Sequence, residues 1–295
     1  PDTHPAPAHQ DQPPAHPAGR SADRTTGAEE GGARARPRRR GVWIFLAIAT
    51  AVVMVVPVCL QLWGRAIQQT ATASVSFPHA ITKVQLDMGD ARVSVGPGPE
   101  GQARVYQKLK WALSKPTVDK RLVGDVLYVT FRCSDPANLY NGLECGGDID
   151  VQVPPGVRLT AVSGSGEISV RGLSGDLDLR TGAGEIRIAD TRGNLRARAG
   201  SGTVDATGLA APTTRAQVSS GVLDLRYVRP PDFVEATANS GTVKLIVPQG
   251  SHYRISDETG NGQTHVNRAL NDNGSKQEIS VRSGSGSVYV DTRDD

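Results

Sequence analysis

Two glutamates occupy matching places in the sequence, and a pair of carboxylates is what acid–base catalysis on a polysaccharide would need. Glu167 and Glu185 each follow a glycine and precede an isoleucine, so we expect them on neighbouring strands of one outward face. There they would be either a carboxylate pair with weak affinity for a cation, or solvated strand residues bonded to Arg187. The charges along that face alternate in sign, which favours the second interpretation and predicts no catalytic residue.

The histidines and the remaining acid pair show no pattern that a metal ion requires. Histidine occurs at six positions: His4, His9, His16, His79, His252 and His265. The first three lie irregularly among prolines, and the last three share no spacing with one another or with an acid. Asp176 and Asp178 have no histidine or cysteine close to them in the sequence. We therefore predict neither a metal site nor a cofactor.

Arginines provide the candidate binding surface. Five of them fall at outward positions of the predicted strands: Arg180, Arg196, Arg198, Arg215 and Arg282. On a stacked sheet they would form a basic stripe, and guanidinium groups suit bidentate contact with phosphate or carboxylate. The partners would be an anionic cell-wall polymer, lipid headgroups or an envelope protein. The alternative is a charged, solvated face that keeps the strands from aggregating.

Three cysteines are present, and they fall in two different settings. Cys59 lies inside an apolar run, whereas Cys133 and Cys145 are twelve residues apart in the following domain. An even pair of cysteines outside that apolar run favours a disulfide that would close the loop between them. Two unpaired thiols are the alternative.

A tandem repeat centred on glycine must position these side chains. The aligned glycines are Gly166, Gly184, Gly202, Gly221, Gly241 and Gly286. Two and four residues after each glycine, and five and seven residues before it, the positions hold mostly Ile, Val, Leu or Ala. This is the period-two pattern of strands with one face inward. The glycines are 18, 18, 19 and 20 residues apart, and the last step is 45 residues.

Repeats of this length predict an all-β solenoid, in which each unit is a strand, a corner and a second strand. One unit has too little apolar surface to fold alone, whereas stacked coils share an interior. We expect the corner glycines to need a positive φ or a close approach between coils. A degenerate unit at residues 84–95 and longer strands at 103–113 and 121–132 precede the array.

The first 64 residues do not contribute to that core. Residues 1–40 hold seven arginines, five acids and almost no large apolar side chain, which predicts a disordered basic tail. Residues 41–64 carry no charge and are long enough for one transmembrane helix in a lipid bilayer. The arginines before that segment predict a cytoplasmic N-terminus in a single-pass protein of the cell membrane. Residues 65–79 would then be a linker, and 80–295 an extracytoplasmic solenoid.

A cleaved signal peptide is the alternative for this region, because Ala71-Thr72-Ala73 has the small-x-small form of a cleavage site. The apolar run is longer than signal peptides use, which favours anchoring. Outside the tail the chain is close to neutral, and this disfavours a nucleic-acid partner.

The segment DIDVQVPPGVRLTAVSGSGEISVRGLSGDLDLRTGAGEIRI, with its Val-Pro step and repeated glycine corners, resembles the bacterial adhesin-like family, a domain of unknown function. The resemblance covers about residues 80–290. It implies a β-helix-like stack in a membrane-anchored or secreted envelope protein, and it provides no catalytic residue to transfer.

Three functions are consistent with these patterns. The first is an envelope surface protein whose solenoid binds or displays rather than catalyses. The second is an envelope-sensing accessory of a signalling system, in which the solenoid senses a ligand and the arginine-rich tail contacts a cytoplasmic partner. The third, which we favour least, is a polysaccharide-active enzyme.

Overall fold

The computed structural model describes residues 40–66, 69–111, 114–133 and 145–293. The predicted disordered tail lies outside these residues except for its last position, and so do His4, His9 and His16. One α-helix, α1, spans Arg40–Ala66. When length and hydropathy are judged together, none of the helices within these ranges qualifies as a membrane span. The transmembrane helix predicted for residues 41–64 is therefore not confirmed.

In the rest of the described chain nearly all of the regular secondary structure is strand, which confirms the all-β prediction. Apart from the short 3-10 helix Arg268–Leu270, the elements are β1 (Gln69–Phe77), β2 (Lys83–Asp87), β3 (Arg92–Pro97), β4 (Ala103–Trp111), β5 (Thr117–Val123), β6 (Val126–Arg132), β7 (Cys145–Val153), β8 (Arg158–Ser163), β9 (Ile168–Arg171), β10 (Leu177–Thr181), β11 (Glu185–Ala189), β12 (Leu195–Leu209), β13 (Thr213–Tyr227), β14 (Phe233–Val247), β15 (Arg254–Val266) and β16 (Glu278–Thr292).

The strands are stacked in two columns, one on each side of the glycine corners. Neighbouring strands in a column are parallel, except for the antiparallel pairs β5–β6, β1–β4 and β4–β7. The first column contains the strands before each glycine corner, in the order β5, β6, β2, β8, β10, β12, β13, β14, β16 and β15. The second contains the strands after each corner, in the order β1, β4, β7, β3, β9, β11, β12, β13, β14, β16 and β15. The long strands from β12 onward pass through the corner and belong to both columns.

The register of these strand pairs confirms the repeat alignment, in which residues at the same offset from the corner glycines lie beside one another. Leu177 pairs with Leu159 on one side and with Leu195 on the other, and Gly221 pairs with Gly202 and Gly241. All twenty-four side chains that the frame places inward are no more than 3 % exposed. A fully buried Val, Leu or Ile contributes about 1.5–3 kcal/mol, so the interior shared between coils holds the stack together.

The corner glycines approach the neighbouring coil closely. Gly202, Gly221, Gly241 and Gly286 have φ of 138°, 137°, 146° and 141°. A Cβ added to Gly221 would lie 1.9 Å from the carbonyl oxygen of Gly202. Strands of one sheet are only about 4.8 Å apart, and this spacing leaves no room for a methyl group at the corner. Both predicted reasons for glycine, the positive φ and the close approach, therefore apply here.

The irregular 45-residue step contains a further coil, β15, which lies last in the stack although it precedes β16 in the sequence. Gly262 of β15 pairs with Gly286, so its corner follows the same frame. Its inward positions include Asp257, which pairs with buried Val281 but is itself exposed. Thr259 and Thr264 bond to each other across the coil interior at 2.5 Å. A polar last coil is what a solenoid needs where the stack ends.

Part of the segment predicted as a linker, residues 65–79, forms the edge strand β1. All nine residues of β1 pair antiparallel with β4, from Gln69 opposite Trp111 to Phe77 opposite Ala103. The alternation of Ala71, Ala73, Val75 and Phe77 was the available sequence signal for this strand.

Candidate functional site

The predicted arginines all lie on the outward side of the first column. Arg196 stands between Asp178 and Arg215 in register, and Arg198 stands between Arg180 and Gln217. Side chains of a strand alternate between its two faces, so residues two apart on β12 project to the same side. We call this surface the arginine face.

Three of the five arginines form hydrogen bonds or ion pairs with acids. These pairs were not predicted from the sequence. Arg180 makes two hydrogen bonds to Asp178, at 3.1 and 2.9 Å, and these bonds raise the pKa of the Arg180 guanidinium. Arg215 and Arg282 approach opposite oxygens of Glu235, at 3.5 and 3.6 Å. Arg282 also lies 3.5 Å from Glu258. The continuous basic stripe is therefore interrupted by carboxylates.

Arg196 and Arg198 differ from the other three. Both side chains are exposed, and neither guanidinium group forms a hydrogen bond or an ion pair with any residue of the described ranges. Their ten N–H donors are free to contact a ligand. We call these two residues the arginine pair.

A shallow groove of about 490 Å³ runs beside the arginine pair. Arg158, Asp176, Arg196, Thr213 and Arg215 are among the residues that line it. Asp176 bonds to the Arg158 guanidinium at 3.3 Å and accepts two bonds from Asn194. At one end of the groove the charges of Arg158 and Asp176 therefore cancel. At the other end, beside Arg196 and Arg215, guanidinium groups predominate.

The two glutamates that could have formed a catalytic pair lie on the second column, and arginines hold both. Arg187 bonds to Glu167 and, at 2.6 Å, to Glu185, while Arg92 reaches the second oxygen of Glu167 at 3.0 Å. These contacts raise the pKa of the Arg187 guanidinium, mainly through the bond to Glu167. The predicted link to Arg187 is confirmed, and the geometry does not favour acid–base chemistry here.

The histidines that the structure describes lie apart from any ligand cluster. Within the described ranges, no three His, Cys, Asp or Glu side chains lie close enough together to hold a metal ion. His265 stacks on Tyr289, with ring centroids 4.8 Å apart and planes inclined by 15°. This residue therefore belongs to an aromatic contact between β15 and β16.

Cys133 and Cys145 form a disulfide, with their Cα atoms 6.1 Å apart. The bond joins the end of β6, which extends the first column, to the start of β7, which extends the second. Cys59 lies on α1 as a free, exposed thiol.

Comparison with protein families agrees with this architecture. Residues 146–295, from β7 to the end of the chain, match the family described as Toastrack DUF4097. The chain belongs to that family. The Toastrack match includes the arginine face from β8 onward and all six aligned corner glycines, but it leaves out β1 to β6.

Solved structures that resemble the chain share low identity with it. A candidate cell adhesion protein of Clostridium sporogenes is 13% identical over 77% of this chain and 100% of its own, with a TM-score of 0.36. A candidate lipid-binding protein of Parabacteroides distasonis is 12% identical over 76% and 97%, with a TM-score of 0.45. A candidate adhesin of Bacteroides fragilis is 11% identical over 76% and 97%, with a TM-score of 0.44. No curated protein matches the sequence.

Proposed function

We propose that this Toastrack protein is a membrane-anchored protein of the cell envelope, and that its solenoid binds an anionic polymer through the arginine pair instead of catalysing a reaction. The observation that carries the proposal is the pair of exposed guanidinium groups that have no partner among the described residues. Arg196 and Arg198 are two residues apart on one strand, so their Cα atoms are about 6.6 Å apart. A ligand with repeated phosphate or carboxylate groups would engage both at once.

Anchoring and orientation are supported by the sequence. Residues 41–64 carry no charge, and five arginines precede them within seven positions. We propose that this segment holds the protein in the bilayer with the solenoid on the outer side. Protease added to intact cells should then digest the solenoid. Its protection would contradict the outward location.

Binding is best tested with the purified full chain in an uncharged detergent. Poly(glycerol phosphate) is the probe, and neutral dextran is the comparison ligand. A hydrogen bond to a charged partner contributes about 1.5–3 kcal/mol, so reversing both arginines of the pair should weaken binding by more than tenfold. Raising the salt concentration should weaken binding of the unmodified protein as well, because the contacts are exposed to solvent.

The variant Arg196→Glu with Arg198→Glu has a control of equal charge change. Arg229→Glu with Arg268→Glu alters two exposed arginines that lie outside the arginine face. We expect only the first variant to lose binding. Equal losses in both would indicate a non-specific charge effect, and unchanged binding in the first would refute the arginine pair as the site. The combination Arg196→Glu with Arg215→Glu tests whether the groove beside the pair contributes.

A further inference from the structure

A second concave surface lies on the outward side of the other column, where β1, β4, β7 and β3 are neighbours. It forms an open groove of about 700 Å³. Nine polar or aromatic residues line it: Thr72, Ser74, Arg92, Ser94, Tyr106, Gln107, Lys108, Asp148 and Asp150. Three of the four strands precede residue 146, so most of this groove lies outside the Toastrack match.

The strand register arranges eight of these residues in two rows across the sheet. In one row Tyr106 lies directly opposite Ser74 and Asp150, and Asp150 lies opposite Ser94. Directly opposed side chains have Cβ atoms about 4.5–5.5 Å apart, so one ligand can reach several members of this row. We call the row Ser74, Tyr106, Asp150 and Ser94 the tyrosine row.

The second row contains Thr72, Lys108, Asp148 and Arg92, again in register. Arg92 bonds to Asp148 at 3.2 Å and to Glu167 at 3.0 Å, and is thereby compensated. The Lys108 side chain is exposed and forms no hydrogen bond or ion pair with any residue in the part of the chain that the structure describes. This row thus supplies one unused ammonium donor at the edge of the groove.

The tyrosine row has unused bonding capacity as well. Tyr106 is 40 % exposed. Asp150 is exposed, and its carboxylate has no hydrogen-bond or ion-pair partner among the described residues. An aromatic face beside a free carboxylate and several hydroxyls offers stacking together with directed hydrogen bonds.

Charge decides which ligand class fits. The groove holds two cations, Arg92 and Lys108, and two anions, Asp148 and Asp150, so its own charges cancel. A charged ligand would be repelled by half of these groups. A neutral ligand rich in hydroxyl groups can instead accept hydrogen bonds from the cations and donate hydrogen bonds to the anions. This balance distinguishes the groove from the arginine pair, where cations predominate.

We propose that the groove binds a neutral saccharide. The Tyr106 ring stacks against the C–H face of a sugar ring, Asp150 accepts hydrogen bonds from two adjacent hydroxyls, and Lys108 donates to a ring or hydroxyl oxygen. The four strands span about 14 Å, which accommodates a short oligosaccharide. The solenoid then carries two sites on different faces, one for anionic groups and one for neutral sugars.

Saturation-transfer NMR on the full chain, in a detergent without a sugar headgroup, tests the proposal. The probes are chitotetraose, maltotetraose and cellotetraose. We expect at least one to receive saturation from the protein, and Tyr106→Ala to weaken its binding at least tenfold. Tyr106→Phe should retain binding, because the stacking face remains, and Asp150→Asn should weaken it severalfold.

Tyr289→Ala is the matched control. Tyr289 is 37 % exposed on β16, at the same outward register position of a distant coil. The Tyr289→Ala variant should bind the probe as the unmodified protein does. Circular dichroism should show unchanged strand content in all variants. Failure of all three probes, unchanged binding in Tyr106→Ala, or an equal loss in Tyr289→Ala would overturn the proposal. The double variant Arg196→Glu, Arg198→Glu should keep saccharide binding, so the two sites can fail independently.

Discussion

Replacement of Gly221 by alanine is expected to destabilise the solenoid severely, because two separate costs coincide there. The added Cβ would lie 1.9 Å from the carbonyl oxygen of Gly202 and 2.9 Å from its carbonyl carbon. These are backbone atoms of a neighbouring coil, and they cannot rotate away as a side chain could. Gly221 also has a φ of 137°, which L-amino acids rarely adopt.

The magnitude follows from the two contributions. A residue held in a disfavoured backbone region costs about 1–3 kcal/mol. Forcing extra volume into a packed interior costs about 1–3 kcal/mol more. We therefore expect Gly221→Ala to lower the free energy of unfolding by about 2–6 kcal/mol. At about 2–4 °C per kcal/mol, the melting temperature should fall by about 4–24 °C.

Three further glycines separate these contributions experimentally. Gly156 has a normal φ and no atom within 4 Å of a built Cβ, so Gly156→Ala should change stability little. Gly124 has a φ of 61° but open space, so Gly124→Ala should cost about 1–2 kcal/mol. Gly184 lacks the positive φ but would place its Cβ 2.1 Å from the Gly166 oxygen, so Gly184→Ala isolates the steric cost.

The four single variants are compared by thermal and urea unfolding of the full chain, monitored by circular dichroism. The predicted order of melting temperatures is Gly156→Ala highest, then Gly124→Ala and Gly184→Ala, then Gly221→Ala. If Gly221→Ala melts within about 2 °C of Gly156→Ala, the coils are not packed at the corner as described. If Gly184→Ala melts with Gly156→Ala, the steric part of the reasoning is wrong.

Three other perturbations test separate parts of the fold. Cys133→Ser with Cys145→Ser should lower the free energy of unfolding by about 2–4 kcal/mol, and an unchanged melting temperature would argue against the bond. Asp257→Val removes the exposed charge at an inward position of the last coil, and light scattering should detect self-association that the outward control Ser256→Val does not show. Asn267 and the Thr292 N–H donate hydrogen bonds to the Asp291 carboxylate, and these bonds lower its pKa. The ionised carboxylate therefore stabilises the fold at pH values above its ordinary pKa of about 4. This contribution is lost as the pH falls through the lowered pKa. Asp291→Asn should therefore melt below the unmodified protein at pH 7, with the difference shrinking as the pH falls below the ordinary pKa of about 4.

The sequence predicts the repeated coils well because inward packing imposes a strict period on them. Even Thr214, a polar residue at an inward position of the frame, is fully buried where predicted. A shift of the register by one residue would turn every inward side chain of a strand outward, so the aligned apolar positions allow a single register. The same reasoning did not find the coil at Gly262, because Asp257 and Thr264 occupy positions that are apolar elsewhere.

The order of the last two coils has a physical explanation that the residue pattern shows only in retrospect. Strand β16 has Ile279, Val281, Val288 and Val290 at its inward positions and needs a neighbour on both sides. Strand β15, with Asp257 inward, tolerates water on one side. Placing β16 inside and β15 at the end buries the apolar strand fully, although the chain must then double back.

The sequence positions alone do not determine which surface charges form ion pairs, because long side chains can reach more than one neighbour. Within the array, outward charges are largely used by their neighbours, as with Arg187 and its two glutamates or Arg226 and Asp224 at 2.7 Å. Binding capacity therefore remains where a charge has no complementary neighbour in the next coil, or where that neighbour already bonds to another group. Inside the array, Arg198 lies beside Arg180 and Gln217, and the acid beside Arg196, Asp178, is already bonded to Arg180. Asp150 meets the condition where the antiparallel strands β1 and β4 replace further coils. The regular coils thus provide a rigid support, and the two candidate sites lie where the match between neighbouring outward charges breaks down.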